Sequence, residues 1–236
     1  MELIGVTYSP SLQEYDAWGR LAQDLHVDSW VLLDTGSDAH LWGRDNVQRI
    51  NNDYFEFGAY HEALQHVRTD GPYLLVNNTV FRTRSVFLWK QVLRGIPTTD
   101  LAPFYGDGTP RPRPHLADIP DPYYSSWIFL IRDKEALRVF TEAIAKSLPK
   151  CLEERTESYR AYVNAWLQPK NRLSGWHGPK SKEHLVRKEK TIVWEHALST
   201  ELAKHGICTF SEVSPWHRWA QVSDKILRHW ASFVKY

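Results

Sequence analysis

What most constrains this chain is the order in which apolar runs and amphipathic patterns follow one another over its first 95 residues. "LIGVTY" (3–8) has the length and β-branched content of a strand, and "SLQEYDAWGRLAQDLH" (11–26) places Leu12, Tyr15, Leu21 and Leu25 broadly on one side of a helix. "SWVLLD" (29–34) reads as a second strand, and "YFEFGAYHEALQHV" (54–67) as a helix with Phe57, Tyr60, Leu64 and Val67 three and four residues apart. "GPYLLV" (71–76) is a third strand and "SVFLWKQVLRGI" (85–96) a third helix. Strands alternating with helices predict an α/β fold with a mainly parallel sheet, because parallel neighbours need a crossover between them. Ligands of such sheets collect beyond the carboxyl ends of the strands, so the loops that follow them are where function is sought.

The later sequence changes character twice. Residues 96–123, "IPTTDLAPFYGDGTPRPRPHLADIPDPY", are dense in proline, glycine and aspartate and predict a long loop. "SSWIFLI" (125–131) returns as a strand, and "DKEALRVFTEAIAKSL" and "ESYRAYVNAWLQ" carry helical patterns. "NRLSGWHGPKSKEHLVRKEK" (171–190) predicts a second flexible, basic stretch before the helix "TIVWEHALSTELAKHG", which Gly206 ends. The tail "PWHRWAQVSDKILRHWASFVKY" is aromatic, basic and helical in pattern. At 236 residues the chain buries enough surface to need no disulfide or structural metal, and Cys151 and Cys208 are expected to be reduced structural thiols. A formal charge of +1 argues against a dedicated nucleic-acid binder. No run approaches the roughly 18 apolar residues of a membrane span, so a soluble or peripheral protein is expected.

Four places in this order are candidates for chemistry. "LLDTGSD" ends a strand in Asp34 and turns through Gly36 and Ser37; Asp34 there is an acceptor for a base or ribose, or the first residue of an ordinary tight turn. In "RINNDYFEFGAYHEAL", Gly58 interrupts a helix at a cost of roughly 1 kcal/mol relative to alanine, and Glu56 lies in the first turn, where the helix dipole alone would favour it. "LLVNNTVFRT" ends a strand in Asn77 and Asn78 rather than in carboxylates. In "TIVWEHALSTELAKHG", Glu195 falls on the apolar face between Ile192 and Leu198, which makes it either a candidate general base or, with Thr191 as cap, a carboxylate near a helix start; His196 is the alternative base.

Taken in order, these pieces resemble a GT-A type glycosyltransferase, most closely the bacterial rhamnan-synthesis and lipopolysaccharide-biosynthesis transferases. The resemblance runs from Leu3 to about Gly206. A D-x-G-S-like turn is matched by Asp34-Thr35-Gly36-Ser37, and an N-x-G-r-D-F-G-A-Y-like segment by Asn52 and Glu56-Phe57-Gly58-Ala59-Tyr60, with Tyr54 departing where the pattern has glycine. A V-N-D-S-like motif is matched by Val76-Asn77-Asn78-Thr79, an S-Y/W-F-like strand by Ser126-Trp127, and an E-D-x-x-L-like segment by the residues around Glu195.

The resemblance implies a GT-A-like, Rossmann-related sheet flanked by helices with a helical C-terminal tail, in one domain over 1–236. Its first 95 residues would bind the nucleotide sugar, 96–213 would hold the acceptor and the catalytic half, and 214–236 would form the aromatic, basic tail. Thr7, Tyr8, Asp34, Asn52, Glu56, Asn77 and Asn78 would contact the donor. Arg82, Arg84, Lys182 and Arg187, with Lys180 and Lys188 nearby, would meet the diphosphate, and Ser126 and Trp127 the acceptor. Glu195 would deprotonate an acceptor hydroxyl, which implies inversion. Because amide oxygens are poor ligands for a hard dication, no metal is required on this reading; manganese or magnesium at Asn78, or a single carboxylate such as Asp107 or Asp121, is the alternative. The expected partners are a nucleotide-sugar donor and a glycan or lipid-linked acceptor, with no nucleic acid, and the expected place is the cytoplasm or the inner face of the membrane. The competing expectation is a non-catalytic shell of the same fold that binds a glycan or a partner. Trp216, Trp219, Trp230, Arg218, Lys225 and Arg228 in the tail either rest on an anionic membrane or close the core.

Overall fold

A computed structural model describes residues 1–36, 40–50, 54–81, 86–96, 102–111, 115–169, 176, 178, 180–223 and 226, apart from the side chains of Phe55 and Val86. β1 (Glu2–Thr7) is buried throughout, and α1 (Leu12–Asp24) starts at Ser11, whose Oγ accepts the Glu14 N–H at 3.1 Å. β2 (Ser29–Asp34), β3 (Val47–Arg49) and α2 (Phe55–Glu62) follow, the last extended by a tighter turn at Ala63–Gln65. β4 (Tyr73–Asn77) runs into a 3-10 turn at Asn78–Phe81, then α3 (Val86–Arg94), β5 (Phe104–Thr109) and β6 (Tyr123–Ile131). α4 (Lys134–Ser147), α5 (Glu157–Leu167), α6 (Lys182–Ala203), β7 (Ile207–Thr209) and α7 (Phe210–Val213) complete the named elements, and residues 216–223 are helical.

The strands form one mixed, mostly parallel sheet in the order β3-β2-β1-β4-β6-β5-β7, with β6 antiparallel to both of its neighbours. Side-chain alternation divides its buried residues between two faces. Ile4, Val6, Leu33, Leu75 and Phe129 pack with Phe57, Phe140, Trp194 and Leu198, which come from α2, α4 and α6. Leu3, Leu32, Leu74, Val76 and Leu130 pack on the other face with Trp18, Trp89, Phe210 and Ala220. A third apolar cluster joins α5 to the first half of α6 through Tyr159, Val163, Ile192 and Val193. α6 therefore packs in two places, and Glu195 lies where one gives way to the other.

The expected strands at 3–8, 29–34, 71–76 and 125–131 form, and the sheet draws β1 to β4 from the first 95 residues and β5 to β7 from the rest. Two expectations are corrected. The loop expected over 97–122 contains β5, whose "FYGDGT" lacks strand character but gains a ladder on each side. A Cβ at Gly106 would meet the Tyr124 ring at 2.8 Å, so the residue that weakens the local strand signal is the one the neighbouring strand requires. The flexible basic stretch expected up to residue 190 is helical from Lys182, capped by Ser181 and braced by Glu183 and Arg187 at 2.9 Å. Thr191 is thus interior to α6 and gives its hydroxyl to the Lys188 carbonyl at 2.9 Å; it does not cap the helix, and Glu195 is more than three turns from the N-terminus.

Candidate functional site

The site starts from an irregularity in β6. Gly106 of β5 is opposite Phe129, but the next residue, Asp107, is opposite Ser125, so Ser126, Trp127 and Ile128 are extra to that ladder. Trp127 and Ile128, adjacent in sequence, consequently point into the same apolar cluster. A bulge of this kind releases backbone groups from the sheet. Here the Ser126 N–H donates to Glu195 Oε1 at 2.6 Å, and the Ser126 carbonyl accepts from the Tyr60 hydroxyl at 2.8 Å. The Ser126 hydroxyl lies 3.4 Å from Glu56 Oε1, a weak contact. Val76, the last residue of β4 paired with β6, meets Ile128, which puts Ser126 beyond that pairing, at the carboxyl edge of the parallel strands.

Three elements thus bring two carboxylates to one bulged serine: α6 supplies Glu195, α2 supplies Glu56 from its first turn, and β6 supplies Ser126. The Glu195 carboxyl is deeply set, although part of the residue stays accessible. Burial raises its carboxyl above the ordinary value of 4.5; Lys188 and the Ser126 N–H pull the other way, and the negative charge of Glu56 adds to the rise. The arrangement keeps an oriented carboxyl group whose proton is held more tightly than usual, as a general base needs.

The walls are aromatic. Tyr60 is fully buried and its hydroxyl is pushed well up, first by burial and then by Glu56 and Glu195, so it remains a donor. Burial and Glu195 likewise raise Tyr123 and Tyr162. His196 turns away: its Nδ1 is 2.7 Å from the Tyr159 hydroxyl, its ring packs edge-on against Tyr123 at 4.7 Å, and burial lowers it to about 3. An imidazole enclosed in this way and kept neutral by burial is poorly placed to take up a proton. Lys188 extends over the stacked rings of Trp166 and Trp176 at 5.8 and 5.5 Å.

The other expected positions divide into groups. Asp34 is fully buried and ties its turn to the loop after β1 and to Trp42, with Oδ1 accepting the Ser9 and Gly36 N–H groups at 2.9 and 2.8 Å and Oδ2 the Trp42 indole at 3.1 Å. Gly36 is obligatory there, since a Cβ would lie 2.3 Å from the Ser9 nitrogen. Thr7 is buried and donates to Glu14 at 2.5 Å, whereas Tyr8, one residue on, is 57% exposed at the same edge. Asn77 Oδ1 accepts the Thr79 N–H at 3.0 Å in a local turn, and Asn78 opens the 3-10 turn. Trp127 faces away from the site and donates to Asp107 at 2.8 Å. Asp121 is engaged with Arg111. Lys182 and Arg187 are exposed on the first turns of α6, roughly 20 and 12 Å along its axis from Glu195. Ser37, Asn52, Arg82, Arg84, Lys225, Arg228 and Trp230 lie outside the described residues.

Among the described residues no group of three or more His, Cys, Asp or Glu side chains is arranged to hold a metal ion. A groove of about 510 Å³ runs between α2 and the end of α4, bordered by Tyr54, Gly58, His61 and Leu148, but Glu56, Ser126 and Glu195 are not among its lining residues. Sequence reasoning missed Tyr60, although it follows Glu56 by four residues and so shares its helix face, and it missed the bulge, which no spacing in "SSWIFLI" announces. Comparison with protein-family models, with curated proteins and with solved structures finds no match to this chain.

Proposed function

We propose that this chain is a GT-A type glycosyltransferase in which Glu195 is the catalytic base. The observation that carries the reading is the placement of Glu195: a deeply set carboxyl group with a raised proton affinity, hydrogen-bonded by a bulged backbone N–H at the carboxyl edge of a mostly parallel sheet. In the reaction proposed, Glu195 accepts the proton of an acceptor hydroxyl as that oxygen attacks the anomeric carbon, and the nucleoside diphosphate leaves from the opposite face with the bonding pair. One direct displacement inverts the configuration. Tyr8 offers an exposed ring at the same edge for a base, and Lys188 brings a cation near enough to lower the proton affinity of Glu195. The acceptor is a hydroxyl of a glycan or lipid-linked sugar in the making of a surface polysaccharide.

A non-catalytic shell of the same fold is favoured by one observation of its own. Asp34 and Asn77, which the resemblance places around the donor, spend their side-chain oxygens on the protein's own N–H groups: Ser9, Gly36 and the Trp42 indole for Asp34, and Thr79 for Asn77. Calorimetric titration with a panel of nucleoside diphosphates and nucleotide sugars, with and without manganese, separates the two readings. Binding of one nucleotide sugar followed by release of its diphosphate supports the enzyme; a folded protein silent across the panel supports the shell.

A further inference from the structure

The helix at 216–223 presents two faces of unlike character. His217, Ala220 and Gln221 point inward: His217 Nε2 and Gln221 Nε2 each lie 3.0 Å from Asp107 Oδ1, Ala220 is fully buried, and the His217 ring packs against Trp89 at 5.4 Å. Trp216, Trp219 and Val222, with Ile226 beyond, are 46%, 65%, 42% and 52% exposed. At ~100° per residue, Trp216, Trp219 and Val222 span one stripe on the side opposite the inward residues. A helix held by a buried hydrogen-bonded clasp and carrying two tryptophans outward cannot bury that stripe by rolling over, because rolling would break the clasp. The chain around it is basic. Residues 215–236 contain Arg218, Lys225, Arg228 and Lys235 against Asp224 alone.

We infer that this helix is an interfacial anchor, seating Trp216, Trp219, Val222 and Ile226 in the headgroup region of an anionic lipid bilayer. Tryptophan prefers that region because its ring is amphipathic, and the surplus of Lys and Arg supplies the attraction to anionic headgroups. No described helix is long and apolar enough to cross a membrane, and this one lies along the surface of its own protein. The inference rests on the stripe and the clasp, and it stands or falls independently of the reaction assigned to Glu195.

Flotation of the full chain with vesicles of phosphatidylcholine, and of phosphatidylcholine mixed with phosphatidylglycerol, tests it. Partition into the anionic vesicles is expected, weakened by ~0.5 M salt. It should fall at least tenfold in the double variant Trp216→Ser, Trp219→Ser, and hold in Leu12→Ser, which removes a side chain 53% exposed on α1. Circular dichroism checks that each variant is folded. Absence of partition by the wild-type chain overturns the inference, as does equal partition by the double variant. Concentration-dependent dimerisation that the double variant abolishes, without lipid binding by the wild type, also overturns it and assigns the stripe to a second copy of the chain.

Discussion

Ser126 and Trp127 are neighbours on β6, and each meets an acid near the carboxyl edge of the sheet, but they meet them on opposite faces. Trp127 donates to Asp107, which also takes Gln221 and lies 3.0 Å from His217; the acid is 4% exposed and surrounded by partners. Ser126 holds Glu195 by its backbone N–H and its hydroxyl, with the carboxylate of Glu56 nearby. Both acids are set deep in the protein, so depth does not distinguish them. Their surroundings do: donors from β6 and the C-terminal helix converge on Asp107, whereas Glu195 has Ser126 on one side and the negative charge of Glu56 on the other, which adds to the rise in its proton affinity.

That contrast can be broken from either side. On the reading proposed, Glu195→Gln lowers turnover by about 10²–10⁴-fold while leaving donor affinity in place, measured as release of nucleoside diphosphate and by titration. Asp107→Ala does the reverse: it strands the Trp127 indole, His217 and Gln221, and is expected to cost about 3 kcal/mol in urea unfolding. The same experiment on Glu195→Gln should show no such loss. A carboxyl whose proton affinity is raised by burial binds more protons folded than unfolded between the two pKa values, so wild-type stability falls as pH rises from about 4.5 through the raised folded value and is level above it. The glutamine variant lacks this fall, and the stability difference between the two proteins moves in the variant's favour as pH rises.

Smaller changes sharpen the comparison within the site. Glu56→Gln removes one of the charges that raise Glu195, so the acid limb of any rate profile should move to lower pH while unfolding changes little. Ser126→Ala deletes the hydroxyl's contacts with Glu56, at 3.4 Å, and with Glu195 but keeps the N–H, and the stability loss is expected to stay within about 1 kcal/mol. A large loss in that variant would show that the hydroxyl, not the bulged backbone, organises the two carboxylates.

Those backbone details mark where the sequence stops being informative. The four principal strands and most helices were legible because apolar spacing is local and strong in "LIGVTY", "SWVLLD" and "LRVFTEAI". β5 was not, because Gly106 and Gly108 silence its signal for reasons that reside in Tyr124 and Thr209, on other strands. The first turns of α6 were hidden by their charge, since an exposed helix held by a cap and an ion pair has the composition of a loop. Glu195 was legible as a carboxylate on an apolar stripe, but its partner was not: the bond comes from a backbone N–H that only a break in ladder register sets free. Trp127, adjacent to Ser126 and expected beside it at the acceptor, faces the opposite cluster because the bulge turns it there.

The most direct test of the assignment of Glu195 is the pH dependence of kcat/KM, measured for the wild type and for Glu195→Gln with the donor found by titration. The account predicts an acid limb in the wild type, with activity rising through a pKa above the ordinary 4.5, and a residual rate in the variant that shows no such limb. A variant that keeps the wild-type limb and rate would contradict the account and remove Glu195 from the chemistry.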